Sequence, residues 1–113
     1  MKEIKAYVHR SRVAQVIEAV QSTQAWRSRQ GDAGQHNLTV YGVHGFLAPV
    51  DDAERHYSMD LGQEVVHEFK LELHCEDGDV AELTAAIRAA ARTGQARAGW
   101  IVVVDIGSAE AIR

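Results

Sequence analysis

The sequence predicts an α+β fold, a single domain over residues 1–113 with an antiparallel sheet covered by two helices on one face. Three observations predict it. Apolar and polar residues alternate through EVVHEFKLELHCE, as in a strand with one buried face. Two stretches carry apolar residues at helical spacing. WIVVVDI is almost wholly apolar.

Taken in order, IKAYV (Ile4–Val8) alternates and is rich in strand formers, so it reads as the first strand. Ser11 is placed to cap a helix from Arg12 to Thr23, whose apolar stripe is Val13, Val16, Ile17 and Val20. QAWRSRQGDAGQH is polar and glycine-containing and reads as a loop. NLTVYGVHGF (Asn37–Phe46) is the second strand. Leu47–Gln63 holds the chain's only proline and no sustained period, and reads as a long mobile excursion. In the third strand Val65, His67, Phe69, Leu71, Leu73 and Cys75 share one face, with His67 half-buried, and Val66, Glu68, Lys70, Glu72 and His74 share the other. Asp79 and Glu82 have capping-box spacing before a second helix with the stripe Val80, Leu83, Ile87 and Ala90, and Gly94 can stop that helix with a positive φ. Trp100–Ile106 is the fourth strand, apolar enough to be central or covered by an interface.

The resulting order βαββαβ is that of the ferredoxin-like arrangement. The sheet face away from the helices carries valines and aromatics and is expected to meet another subunit. A net charge of −4 argues against a nucleic-acid surface. No apolar run approaches a membrane span, no secretory signal opens the chain, and the lone Cys75 allows no internal disulfide, so a cytoplasmic protein is expected.

AARTGQARAGWIVVV (Ala90–Val104) can present backbone N–H groups and two arginines, Arg92 and Arg97, to an anion. This segment resembles the B-loop of the PII signalling family. MKEIKAYVHRSRVAQVIEAV is similar to that family's first strand and helix, LTVYGVHGF to the entry of its T-loop, and the terminal AIR to the start of its C-loop. The resemblance covers nearly the whole chain in the right order, and Arg92-Thr93-Gly94 with Gly99 is its most specific part. It implies a non-enzymatic homotrimer with adenine nucleotide as an effector in clefts between subunits and no obligatory cofactor. A partner protein, a membrane transporter or a metabolic enzyme, would be met by the T-loop, Leu47–Gln63. By position the resemblance puts Asn37, Leu38 and Thr39 on the base side, and Gly45 and Phe46 at the T-loop entry. Thr93, Gly94 and Gly99 fall at the phosphates, Trp100 on the cleft wall, and Arg113 comes from an adjacent subunit.

The departures from the family pattern point to a divergent member. The B-loop lysine that meets the outer phosphates is missing, with Arg97 and Ala98 before Gly99 and Trp100 after it. GFLAPV lacks the Gly-Arg-Gln whose glutamine helps hold magnesium, ATP and 2-oxoglutarate. Leu61 stands at the position of the modified tyrosine, and Trp26–Gln35 lengthens the loop after the first helix. ADP or AMP is therefore expected to bind at least as well as ATP.

Six histidines (His9, His36, His44, His56, His67 and His74) are many for this length. No pair has helical i, i+4 spacing, and His44 and His74 become neighbours if the second and third strands pair. This supports the alternative, a metal-responsive PII-like binder linked to heavy-metal efflux. Cys75 reads as a small core residue. Trp26 and Trp100 could each stack on a base. No nucleophile–base–orienter set is visible, which leaves a hydrolase acting on bound nucleotide as a third reading.

Overall fold

The computed structural model describes residues 1–28, 38–45, 55–59 and 61–112. The chain runs through β1 (Lys2–His9), α1 (Val13–Gln21), α2 (Gln24–Ser28), β2 (Thr39–Gly45), β3 (Arg55–Ser58), β4 (Gln63–Cys75), α3 (Val80–Ala90) and β5 (Gly99–Asp105). The sheet order is β2-β4-β1-β5, β3 also pairs with β4, and every pairing is antiparallel. The fold is thus α+β, with five strands and three helices among the described residues, an order compatible with the ferredoxin-like arrangement. No described helix is long and apolar enough to cross a membrane.

Register explains the core. Ile4, Ala6 and Val8 of β1 oppose Leu73, Leu71 and Phe69 of β4. Strand side chains alternate between faces, so this whole set lies on one side of the sheet. Val16 and Val20 of α1 and Leu83 and Ile87 of α3 join the same buried cluster, so both helices cover that face as expected. Cys75 is buried in the cluster, and burial pushes its thiol pKa up.

Several local expectations change. The side chain that caps the first helical turn belongs to His9, whose Nδ1 accepts from the Ser11 N–H; a 3₁₀ turn, Arg10–Arg12, then leads into α1. Asp79 makes no side-chain cap bond at α3. Glu82 instead reaches across to α2, where its carboxylate accepts from the backbone N–H groups of Gln24 (2.8 Å) and Ala25 (2.9 Å). With Thr23 Oγ1 accepting from the Trp26 N–H at 3.1 Å, the first turn of α2 is closed on both sides. Part of the expected loop after α1 is therefore a short helix. It seats Ala25 in the core and packs the half-buried Trp26 against it. Arg12 Nε donates to the Ala90 carbonyl at 3.0 Å and ties the start of α1 to the end of α3.

The excursion Leu47–Gln63 also contains structure, since Arg55–Ser58 forms β3 against the start of β4. The short, polar run Arg-His-Tyr-Ser shows no period of its own; its pairing depends on β4 extending past β1, whose ladder begins at Glu68. Residues 46–54 and 60 lie outside the described residues, and so does the expected mobility there. Val66 is the register partner of both Gly45 and Arg55, and it is buried. Glu68 is buried too, so β4 is covered on both faces near its start, against the expectation for those two residues.

β5 lies at the sheet edge, not at its centre. Only Ile101 packs against the core, while Trp100, Val102, Val103 and Val104 are exposed in the single chain. Gly94 has the expected positive φ of 89°, but α3 already ends at Ala90, so the glycine shapes the following turn and does not cap the helix. Gly99 has a different constraint. A Cβ there would collide with the Tyr7 carbonyl oxygen across the β1–β5 ladder.

Gly99→Ala is accordingly expected to cost about 2–3 kcal/mol of unfolding free energy, because the atom it meets is backbone and cannot swing aside. Glu82→Ala should cost about 1 kcal/mol through the lost cap. Gly78→Ala, whose Cβ meets nothing within 4 Å, should stay within about 0.5 kcal/mol. Urea denaturation followed by tryptophan fluorescence measures all three.

Candidate functional site

α3 ends beside the β1–β5 pair, and the chain must then turn back to enter β5. Between these elements lies a cleft of about 520 Å³. Val8 and Ile87, both buried, form its apolar floor. Arg88, Arg92 and Gln95 line it, together with Gly94, Gly99 and the exposed indole of Trp100. Neither Arg88 nor Arg92 is ion-paired with a carboxylate among the described residues. The cleft therefore offers a flat aromatic wall, an apolar floor and two available guanidinium groups. That combination suits an anionic ligand with a planar apolar part.

No family model matches the chain, and no curated protein matches it either.

Of the residues assigned to nucleotide from the sequence, Arg92, Gly94, Gly99 and Trp100 line this cleft. Thr93 and Arg97 do not. The Thr93 hydroxyl is 2.9 Å from Gln95 Oε1 and faces the Gln95 N–H at 3.4 Å, within the turn itself. The Arg97 guanidinium stacks on the Trp100 ring, 4.9 Å from its centroid. Leu38 packs partly against the core, the Thr39 hydroxyl reaches the Glu72 carbonyl, and Gly45 lies where a Cβ would collide with the Glu68 carboxylate. β2 and β5 are opposite edges of the sheet, three strand spacings or roughly 14 Å apart, so Leu38 and Thr39 cannot share the cleft within one chain. Asn37, Phe46 and Arg113 lie outside the described residues. Arg88, one helical turn before Arg92, was not legible as a site residue because a lone arginine on an amphipathic helix reads as its solvated face.

The histidines also regroup. The β2–β4 register sets His44 opposite His67, not beside His74, whose Nε2 instead lies 3.8 Å from Glu3. His56, on β3, joins the first two, and each of these three exposed residues offers a ring nitrogen within 4.8 Å of the others. His67 is thus exposed, not half-buried. No tight turn joins β2 to β4, so the sequence supplies no fixed loop length from which this register could be counted.

On the face away from the helices, Lys70 sits between two tyrosine rings, 5.3 Å from the centroid of Tyr7 and 5.5 Å from that of Tyr41, and 3.0 Å from Glu72. The Tyr41 hydroxyl donates to Glu72 Oε1 at 2.8 Å. Tyr41 first, and Lys70 after it, hold the Glu72 carboxyl below its ordinary pKa. Tyr41 first, then Glu72, push Lys70 up.

A carboxyl with a depressed folded pKa contributes stability above its unfolded value, about 4.3 for Glu, and loses it as pH falls through the folded value. Tyr41→Phe should therefore be less stable than the wild type at neutral pH, with the gap narrowing below about pH 4. Urea midpoints of both proteins across an acid pH series measure the convergence.

Proposed function

We propose that the chain is a divergent PII-like regulatory protein that binds an adenine nucleotide, ADP or AMP at least as well as ATP, in the α3–β5 cleft. The observation that carries this reading is that the segment resembling the family's B-loop borders a cleft of about 520 Å³ lined by Arg88, Arg92 and Trp100. The arginines and the turn's backbone N–H groups meet the phosphates, and the apolar floor and the indole meet the flatter part of the ligand.

In this reading the fold is the ferredoxin-like one, and the protein works as a cytoplasmic trimer. The bare valines of β5 support a second copy against this edge. So does the placement of Leu38 and Thr39 on the opposite edge from the cleft, since a neighbouring subunit's β2 could bring such residues to it. The chain between β2 and β4, Leu47–Gln63, meets the regulated partner, a transporter or a metabolic enzyme. The protein acts by docking and not by catalysis.

Arg97 is engaged with Trp100 and does not line the cleft, so it leaves the missing lysine's role unfilled. Titration calorimetry should find ADP or AMP bound at least as tightly as ATP, with no enhancement by 2-oxoglutarate. Arg92→Ala should weaken ADP by about ten- to a hundredfold, the equivalent of one charge-assisted hydrogen bond. Light scattering should give a trimer at micromolar concentration. Failure of every adenine nucleotide to bind, or a monomer that binds as tightly as the assembly, would overturn the reading.

A further inference from the structure

We propose that His44, His56 and His67 form a binding site for one divalent late transition-metal ion of the zinc, cobalt, nickel or copper type. None of the three lines the α3–β5 cleft of its own chain.

Strand pairing brings them together. His44 and His67 are direct partners across β2–β4. His56 opposes Val65, two residues before His67, and side chains two apart on a strand share a face. Ring centroids are 5.5 Å apart for His44–His56, 5.5 Å for His44–His67 and 6.3 Å for His56–His67.

The distances fit a metal approached by small side-chain rotations. Imidazole nitrogens bound tetrahedrally at about 2.0–2.1 Å from zinc sit about 3.3 Å from one another. The nitrogens here lie within 4.8 Å and belong to exposed rings that can close that gap. Three neutral imidazoles make a borderline donor set, which favours late first-row ions and gives magnesium or calcium nothing that these hard ions prefer. Three protein ligands leave the fourth position open to water or to a donor from another molecule.

The surroundings keep space for the central ring. A Cβ on Gly42 would lie 3.0 Å from His67 Nε2, so the absence of a side chain there makes room for the imidazole. The Phe69 ring, 5.9 Å from that of His67, flanks it from the adjacent position on the same face. Gly42 is therefore a positioning residue for the site. A bound ion would tie β3 to the end of β2 across β4, because each strand supplies one ligand.

The test is titration of the metal-free protein with Zn²⁺ and Co²⁺, with Mg²⁺ as the hard-ion control, read by calorimetry and by the visible ligand-field spectrum of bound Co²⁺. One ion per chain is expected, with a tetrahedral Co²⁺ spectrum and no Mg²⁺ binding. His44→Ala, His56→Ala and His67→Ala should each weaken binding at least tenfold, and Gly42→Ala should weaken it and shift the Co²⁺ spectrum while leaving all three ligands in place. His74→Ala should change nothing. Circular dichroism of each variant checks that the fold survives, which these exposed positions favour. No binding of Zn²⁺ or Co²⁺, binding indifferent to the three histidines, or binding lost in His74→Ala alone would overturn the proposal.

Discussion

The rest of the structure depends on the register between β1 and β4. Because side chains alternate along a strand, that one alignment sends Ile4, Ala6 and Val8 to the same face as Leu71 and Leu73. A slip of β1 by one residue would turn Ile4, Ala6 and Val8 to the bare face and put Lys5 and Tyr7 under the helices. Burying the Lys5 ammonium away from Glu3 and Glu72, the carboxylates it now faces, would carry a large desolvation cost. The core and the charged aromatic cluster on the opposite face therefore have the same origin.

The helices are held by groups exchanged between elements more than by their own ends. Glu82, on α3, closes the start of α2, and Arg12, before α1, closes the end of α3. Each contact satisfies backbone groups that a helix terminus leaves open, and each also fixes one helix relative to another. The short α2 depends on this, since a single turn and a half has little stability of its own. The covered side of the sheet is consequently tied together along its length, while the β5 edge remains bare.

Glycines mark the places where something else occupies the space of a side chain. At Gly99 it is the Tyr7 backbone, at Gly45 the Glu68 carboxylate, and at Gly42 the His67 ring. The first allows β5 to lie close to β1 beside the α3–β5 cleft. The last leaves the imidazole cluster its central ring. Both candidate sites thus border a strand whose approach or facing side chain requires a missing Cβ.

Much of the fold was legible because periodicity is a local property. The alternation in Gln63–Cys75, the stripes of α1 and α3 and the apolar run of β5 each identify an element without reference to the rest of the chain. The anion-suited turn at Arg92–Gly99 was legible for the same reason, as a run of neighbouring residues. What the elements do to one another was not. The edge position of β5, the existence of α2 and β3, the burial of Val66 and Glu68 and the contribution of Arg88 to the cleft all follow from which strands and helices meet. The histidine cluster shows the limit most clearly. Its members are 12 and 11 residues apart, from 44 to 56 and from 56 to 67, on three strands, and only the short β3–β4 connection ties any two of them locally. The sequence by itself determined which residues alternate and which wind; only the tertiary structure decided the register, because register is set by burial summed over both partners of a ladder and neither partner carries that sum alone.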